Sequence, residues 1–442
     1  PAISGANLTN LTAGNLTGDL PAISGANLTG IAATDNVRTG ILDVAGIATF
    51  RNDVNIGAAV TISESGIEAS GIGITVANIN GGQIGGKRNI WINGAMEVAQ
   101  RATSTTGTGY CLVDRWVINN NAGTITKAQL DLNNTDTGPW QDGIRHALRL
   151  TNTSAIGSGA GDYAEAYYRP EAQDLATSGW AYDNANSFIT LSYWARASVA
   201  QAYPASIKMG DWDYYFPWNF TIAQANVWQK FVIKIPGHSS MTINNDNGIG
   251  FTMWINAYQG SNFFSGSYTA NAWNAESGSY MFAGSPTTTW GTTASATWDI
   301  TGFQLEVGPE ATAFEHRSFT EELLLCKRYF NMIGDGALGA GTAMSDGFIW
   351  NSGGTELDFM YTFPVQMRTT PSIYQVTGGN YFKILGGGLN STTYVDGNFS
   401  IQYASKIATS QYATMDTAGT EGRSCHITIN NTLTKYGYSA EL

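Results

Sequence analysis

Charge is scarce in this 442-residue chain: Asp, Glu, Lys and Arg make up 13% of it, about half the usual share. What charge there is leans acidic, with 22 Lys and Arg against 34 Asp and Glu for a formal net of −12. No Lys/Arg cluster offsets that sign, so the chain is not expected to bind nucleic acid, and anionic lipid is repelled. Cysteine is nearly absent. Cys111, Cys326 and Cys425 are odd in number and far apart, which indicates neither a disulfide framework nor a zinc site. The four histidines, His146, His238, His316 and His426, have no metal-ligand spacing. No apolar run approaches the ~18 residues a membrane-crossing helix requires. Nor is there a phosphate loop, a nucleotide motif or a Ser/His/Asp order. The expectation is a protein with no cofactor, no bound metal and no catalytic residues.

Hydrophobic residues still account for 43% of the chain, and Gly, Asn, Thr and Ser fill the space that charge leaves. That balance favours β-structure with many turns over helical bundles. The first 86 residues lack tryptophan and carry one aromatic, Phe50. PAISGANLT at 1–9 returns identically at 21–29, a repeat expected to continue upstream of Pro1. Short alternations such as Val54/Ile56, Val60/Ile62 and Ile72/Ile74/Val76 have an apolar face too thin for a core within one chain. Repeats of this kind are stable when they stack or wind around other copies, so 1–86 is expected to be a trimeric shaft.

At Lys87 the composition changes: 12 of the 13 tryptophans lie between Trp91 and Trp298. SFITLSYWARAS (187–198), WQKFVIKIPG (228–237) and GFTMWINAY (250–258) read as half-buried strands separated by turn clusters. Strands at that spacing over 87–317 predict a β-sandwich of jelly-roll type. A helix is expected at 318–330. Ser318 and Glu321 have capping-box spacing, and Phe319, Leu323, Cys326 and Phe330 form one apolar stripe. That stripe faces symmetry mates in a fibre, or covers one end of the sandwich in a monomer. From 331 to 442 the chain is again Gly-rich and β-like, the size of one small tip domain.

RNIWINGAMEVAQRATSTTGTGYCLVDRW (88–116) resembles the opening of a carbohydrate-binding-like jelly roll found in bacteriophage tail proteins. The matching positions are Asn89, Asn93, Gly94, Gln100, Arg101, Asp114, Arg115 and Trp116. FQLEVGPEATAFEHRSFTEELLLCKRYF (303–330) is similar to the closing strand of that domain, and FPVQMRTTPSI (363–373) to the strand opening many tail-fibre tips. The repeat looks like the shafts of marine phage fibres, including those of cyanobacterial viruses. The resemblance implies a homotrimeric fibre in the virion, exposed to the extracellular medium. Other tail proteins would hold its N-terminal side, and its receptor would be a host-surface polysaccharide or lipopolysaccharide. The alternatives are a structural spacer or capsid-surface fibre without a receptor role, and a polysaccharide-depolymerising tailspike.

Candidate glycan contacts come from aromatics mixed with polar groups, because a sugar stacks its C–H face on a ring while its hydroxyls bond to carboxylates and amides. MGDWDYYFPWNF (209–220) offers Trp212, Tyr214, Tyr215 and Trp218, which would otherwise fill the core. GGGLNSTTYVDGNFS (386–400) offers Tyr394 and Asp396 in a turn-rich stretch, otherwise a plain hairpin. The Asn89–Trp116 motif reads as structural, with a tight turn at Asn93–Gly94 and Arg101 and Asp114–Arg115 tying strands together. NNDNG (244–248) lacks the carboxylate spacing of a calcium loop and reads as a turn.

Overall fold

The computed structural model describes residues 60–63, 66–69, 88–389, 393–395 and 397–442. The chain divides into two compact units, Pro1–Thr75 and Val76–Leu442. In the first, Val60–Ser63 pairs antiparallel with Gly66–Ala69, so the Val60/Ile62 alternation is a strand as expected. The PAISGANLT repeat, Val54/Ile56 and Ile72/Ile74/Val76 lie outside the described residues.

The second unit is all-β and opens with a jelly roll of two six-stranded sheets. One sheet runs, edge to edge, Asn274–Ala275, Tyr214–Thr221, Ala202–Met209, Phe251–Gln259, Tyr163–Tyr168, Trp116–Asn120. The other runs Gln229–Pro236, Phe188–Ala197, Thr297–Val307, His146–Ser154, Thr124–Asp131, Ser104–Thr105. The chain crosses repeatedly between the sheets, and each strand's alternation sends one set of side chains inward. Rings from both sheets meet there. Trp116 of the first sheet meets Phe303 of the second edge-on with centroids 4.8 Å apart, and Phe220 of the first meets Tyr193 of the second at 5.7 Å. Large aromatics dominate such a core because each buries more apolar area than an aliphatic side chain.

A helix follows at Phe319–Lys327, shorter than the 318–330 expected. Ser318 and Glu321 form the capping box, and Phe330 instead begins a strand. The apolar stripe divides accordingly: Cys326 and Phe330 are buried, while Phe319 is 58% exposed. Two further short α-helices occur among the described residues, Ala172–Ala176 and Thr289–Thr292.

Residues 330–439 build a second, smaller β-domain. Its three-stranded sheet is Phe330–Asp335, Lys435–Ser439, Ser372–Val376. Its seven-stranded sheet runs Thr393–Val395, Phe382–Gly386, Ser424–Ile429, Ala343–Ile349, Glu356–Thr362, Ala408–Thr414, Ser400–Ala404. Between them sits a separate core centred on Phe359, Phe382, Phe399, Tyr436 and Tyr438.

The Asn89–Trp116 motif is structural, and it reaches further than the sandwich strands. Asn93 adopts φ 58° and its amide donates to the carbonyls of Val98 and Asp114, making the expected turn. Gly94 lies so close to the opposite strand that a Cβ would sit 2.1 Å from the Phe303 carbonyl oxygen. Gln100 donates to the Phe330 carbonyl at 2.8 Å and accepts from the Met332 N–H at 3.1 Å. Arg101 lies 3.4 Å over the Phe330 ring and Arg115 3.4 Å over Tyr329. Both arginines bind Glu441, at 3.3 and 2.6 Å. Leu442 accepts from Tyr110 and Arg169, and Arg368 donates to the carbonyls of Ala440 and Glu441. The motif therefore clamps the jelly roll to the C-terminal β-domain through residues 440–442.

Candidate functional site

The densest aromatic segment turns out to be buried on both faces. Phe216, Trp218 and Phe220 point into the jelly-roll core, where the Trp218 indole N–H donates to the Tyr193 hydroxyl at 3.1 Å. Trp218 is 1% exposed and presents no face to a ligand. Tyr215 points the other way but is covered by Tyr268 and Ala283 of the loop that crosses that sheet, leaving it 6% exposed. Trp212 and Tyr214 are half-buried. They stack on each other at 3.9 Å, and Trp212 also packs against His238 and Trp273. Asp211, the carboxylate beside them, is taken up by the backbone and side-chain amides of Asn244 at 2.8 and 2.7 Å. NNDNG forms a turn in which the Asp246 carboxylate accepts from the Gly248 N–H. No cluster of metal-binding side chains occurs among the described residues.

Tyr394 lies on the edge strand Thr393–Val395, opposite Lys383, and its backbone exchanges hydrogen bonds with Asp416. Asp396 is outside the described residues. Tyr394 thus sits on a hairpin at one edge of the seven-stranded sheet.

The other half of that sheet carries a site the sequence reading did not select. In Ala343–Ile349, Gly347 and Ile349 face the core, so Phe348 faces out. In Glu356–Thr362, Leu357 and Phe359 face in, so Asp358 and Met360 face out. Strand register then places Asp358 directly between Phe348 on one neighbour and Tyr412 on the other. Met360 pairs with Ser410, and Ser410 with Tyr403 on the edge strand. Trp350 follows Phe348, its ring 5.9 Å away at 74°, and completes one wall. The result is an open groove of about 460 Å³ with Phe348 and Trp350 on one side, Tyr403 on the other, and Asp358 with Met360 between them.

Its rings are available. Phe348 is 40% exposed, Trp350 55% and Tyr403 72%. The carboxylate is not: Asp358 is 3% exposed, and its Oδ1 is buried without a hydrogen-bond partner. Burial, and then the nearby Glu356 carboxylate, push its pKa above the usual carboxylate range. A buried polar oxygen left unpaired costs free energy, about 1–3 kcal/mol, and nearly all such atoms in folded proteins are satisfied. Chemically, the groove offers flat apolar walls and one strong acceptor awaiting a donor.

No protein-family model matches the chain, and no curated protein matches it. Solved structures do. The family 11 carbohydrate-binding module of a Clostridium thermocellum cellulosomal cellulase is similar at 12% identity, over 47% of this chain and 96% of its own, with a TM-score of 0.24. The N-terminal cellulose-binding domain of a Cellulomonas fimi β-1,4-glucanase is similar at 12% identity, over 49% and 99%, with a TM-score of 0.22. The enzymatically active domain of tailspike protein 4 from bacteriophage CBA120 is similar at 11% identity, over 50% of this chain and 21% of its own, with a TM-score of 0.24. At such values the likeness assigns neither ligand nor activity to this chain; the jelly-roll description rests on its own strand order.

Proposed function

We propose that this chain is the outer part of a homotrimeric phage tail fibre that attaches the virion to a host-surface glycan without cleaving it. The observation that carries the glycan assignment is the unpaired, buried Oδ1 of Asp358 on the floor of an aromatic groove. A purely hydrocarbon partner offers the Asp358 carboxylate no donor, whereas a sugar hydroxyl offers one at the carboxylate's groove-facing edge while its C–H face lies on Trp350 or Tyr403. The fibre assignment rests on the motif at Asn89–Trp116 and on the repeat in 1–86. In this reading the N-terminal side leads to other tail proteins and the C-terminal domain lies outermost, in the extracellular medium.

The same exposed apolar residues also favour a second reading, in which another copy of the chain covers the groove and the protein is a spacer. Adsorption to host cells separates the two. Replacing Trp350 and Tyr403 together by Ala should abolish adsorption while the assembly mass stays at three times 47.2 kDa. Loss of the trimer in that variant would support the spacer. Unchanged adsorption would remove the groove from recognition, and loss of adsorption with Trp212→Ala would move it to the jelly roll.

A further inference from the structure

Resting on the glycan reading of the same groove, we infer that it selects uncharged sugars and rejects those bearing a carboxylate or sulfate, with Asp358 as the discriminating residue. The argument is one of charge and hydrogen-bond complementarity. Every strong polar group that faces the bound sugar must find a partner, and here the only charged one is an acceptor. Among the described residues the groove is lined by aromatic, Met, Ala, Ser, Thr and Gln side chains together with Asp358, and by no Lys, Arg or His. Glu356, on the same strand, adds negative potential at Asp358 rather than relieving it. The imidazole nearest in the strand order, that of His426 on Ser424–Ile429, is held by the Asp346 carboxylate at 2.6 Å. Lys406 lines a different cleft, with Gln173, Asp246 and Arg328.

An anionic sugar would therefore bring a second negative charge beside a carboxylate that is already poorly hydrated, with no cation to compensate. A neutral sugar instead donates a hydroxyl to the Asp358 carboxylate, which lines the groove. Because Asp358, Phe348 and Tyr403 are fixed on paired strands, with Trp350 immediately after one of them, the selection is built into the sheet register. Ser410 and Gln402, also in the lining, can exchange hydrogen bonds with further hydroxyls but bring no charge.

The test is a microarray of neutral, uronate-bearing and sulfated oligosaccharides probed with the protein as it assembles in solution, followed by titration of the hits. Neutral glycans should bind. Their uronate counterparts, with the same linkages and the hydroxymethyl group oxidised to carboxylate, should bind at least about tenfold more weakly. Asp358→Asn keeps an acceptor oxygen and removes the charge, so it should cut that preference at least tenfold, while Trp350→Ala should erase binding to both series. Groove-dependent hits confined to uronates or sulfates would overturn the inference and leave the glycan reading standing. A neutral preference unaltered by Asp358→Asn would overturn the role of Asp358. Absence of any hit would overturn the glycan reading and this inference with it.

Discussion

Replacing Glu441 by Ala should loosen the joint between the two β-domains, and the size of the effect can be worked from its surroundings. The Glu441 side chain is 5% exposed, and its partners Arg115 and Arg101 are 0% and 2% exposed. Removing one partner of a buried ion pair costs about 3–5 kcal/mol, because the remaining charge is left uncompensated. Arg115 would retain the Tyr329 ring and the Arg169 carbonyl, but its Nε already lacks a partner. The lower part of that range, about 3 kcal/mol, is therefore expected. At roughly 2–4 °C per kcal/mol for domains of a few hundred residues, Tm should fall by about 6–12 °C. Scanning fluorimetry of Glu441→Ala, with Lys234→Ala as the control, measures it. The Lys234–Glu310 pair is exposed at both ends and should contribute almost nothing. If the two variants melt alike, Glu441 is not the clamp.

Stability should also fall as pH rises from about 4 to 7. Burial pushes the Asp114 carboxyl up to about 7 despite the pull of Arg101 and the Gln100 amide, and burial pushes Glu165 up to about 7 as well. Between the unfolded and folded values the native state holds more protons, so each contribution present at low pH is lost through that window and stays lost above it. Asp114→Asn should flatten the slope of Tm against pH between 4.5 and 7.5, and an unchanged slope would contradict the assignment. Gly94→Ala places a Cβ against the Phe303 carbonyl oxygen and should cost about 3 kcal/mol, at the top of the range for overpacking; urea denaturation giving under a third of that would show that the turn yields. With −12 per chain and no cation in the groove, cell adsorption should hold or improve from low salt to marine strength as repulsion is screened. A steep fall with salt would reveal a basic contact.

Much of the jelly roll was legible because its strands alternate. SFITLSYWARAS, WQKFVIKIPG and GFTMWINAY all become strands of the jelly roll. The capping box at Ser318 was equally plain, since its chemistry is local. The end of that helix was not, because Phe330 is claimed by a strand whose partner, Lys435–Ser439, lies over 100 residues away. Aromatic density misled in MGDWDYYFPWNF, where a crossing loop covers the face that alternation turns outward. The groove was illegible for the complementary reason. In GFIW and LDFM, apolar residues occupy both faces, so the pattern does not say which face is wet. That is decided by which strands neighbour them, and register alone brings Phe348, Asp358 and Tyr412 into one row.

The most direct test of the central claim is a crystal structure of the protein soaked with the best oligosaccharide from the array. The account predicts density for a neutral sugar lying against Trp350 or Tyr403, with one hydroxyl within hydrogen-bond distance of the Asp358 carboxylate and the groove otherwise open to solvent. A groove filled by a neighbouring copy of the chain, or sugar bound elsewhere, would contradict it.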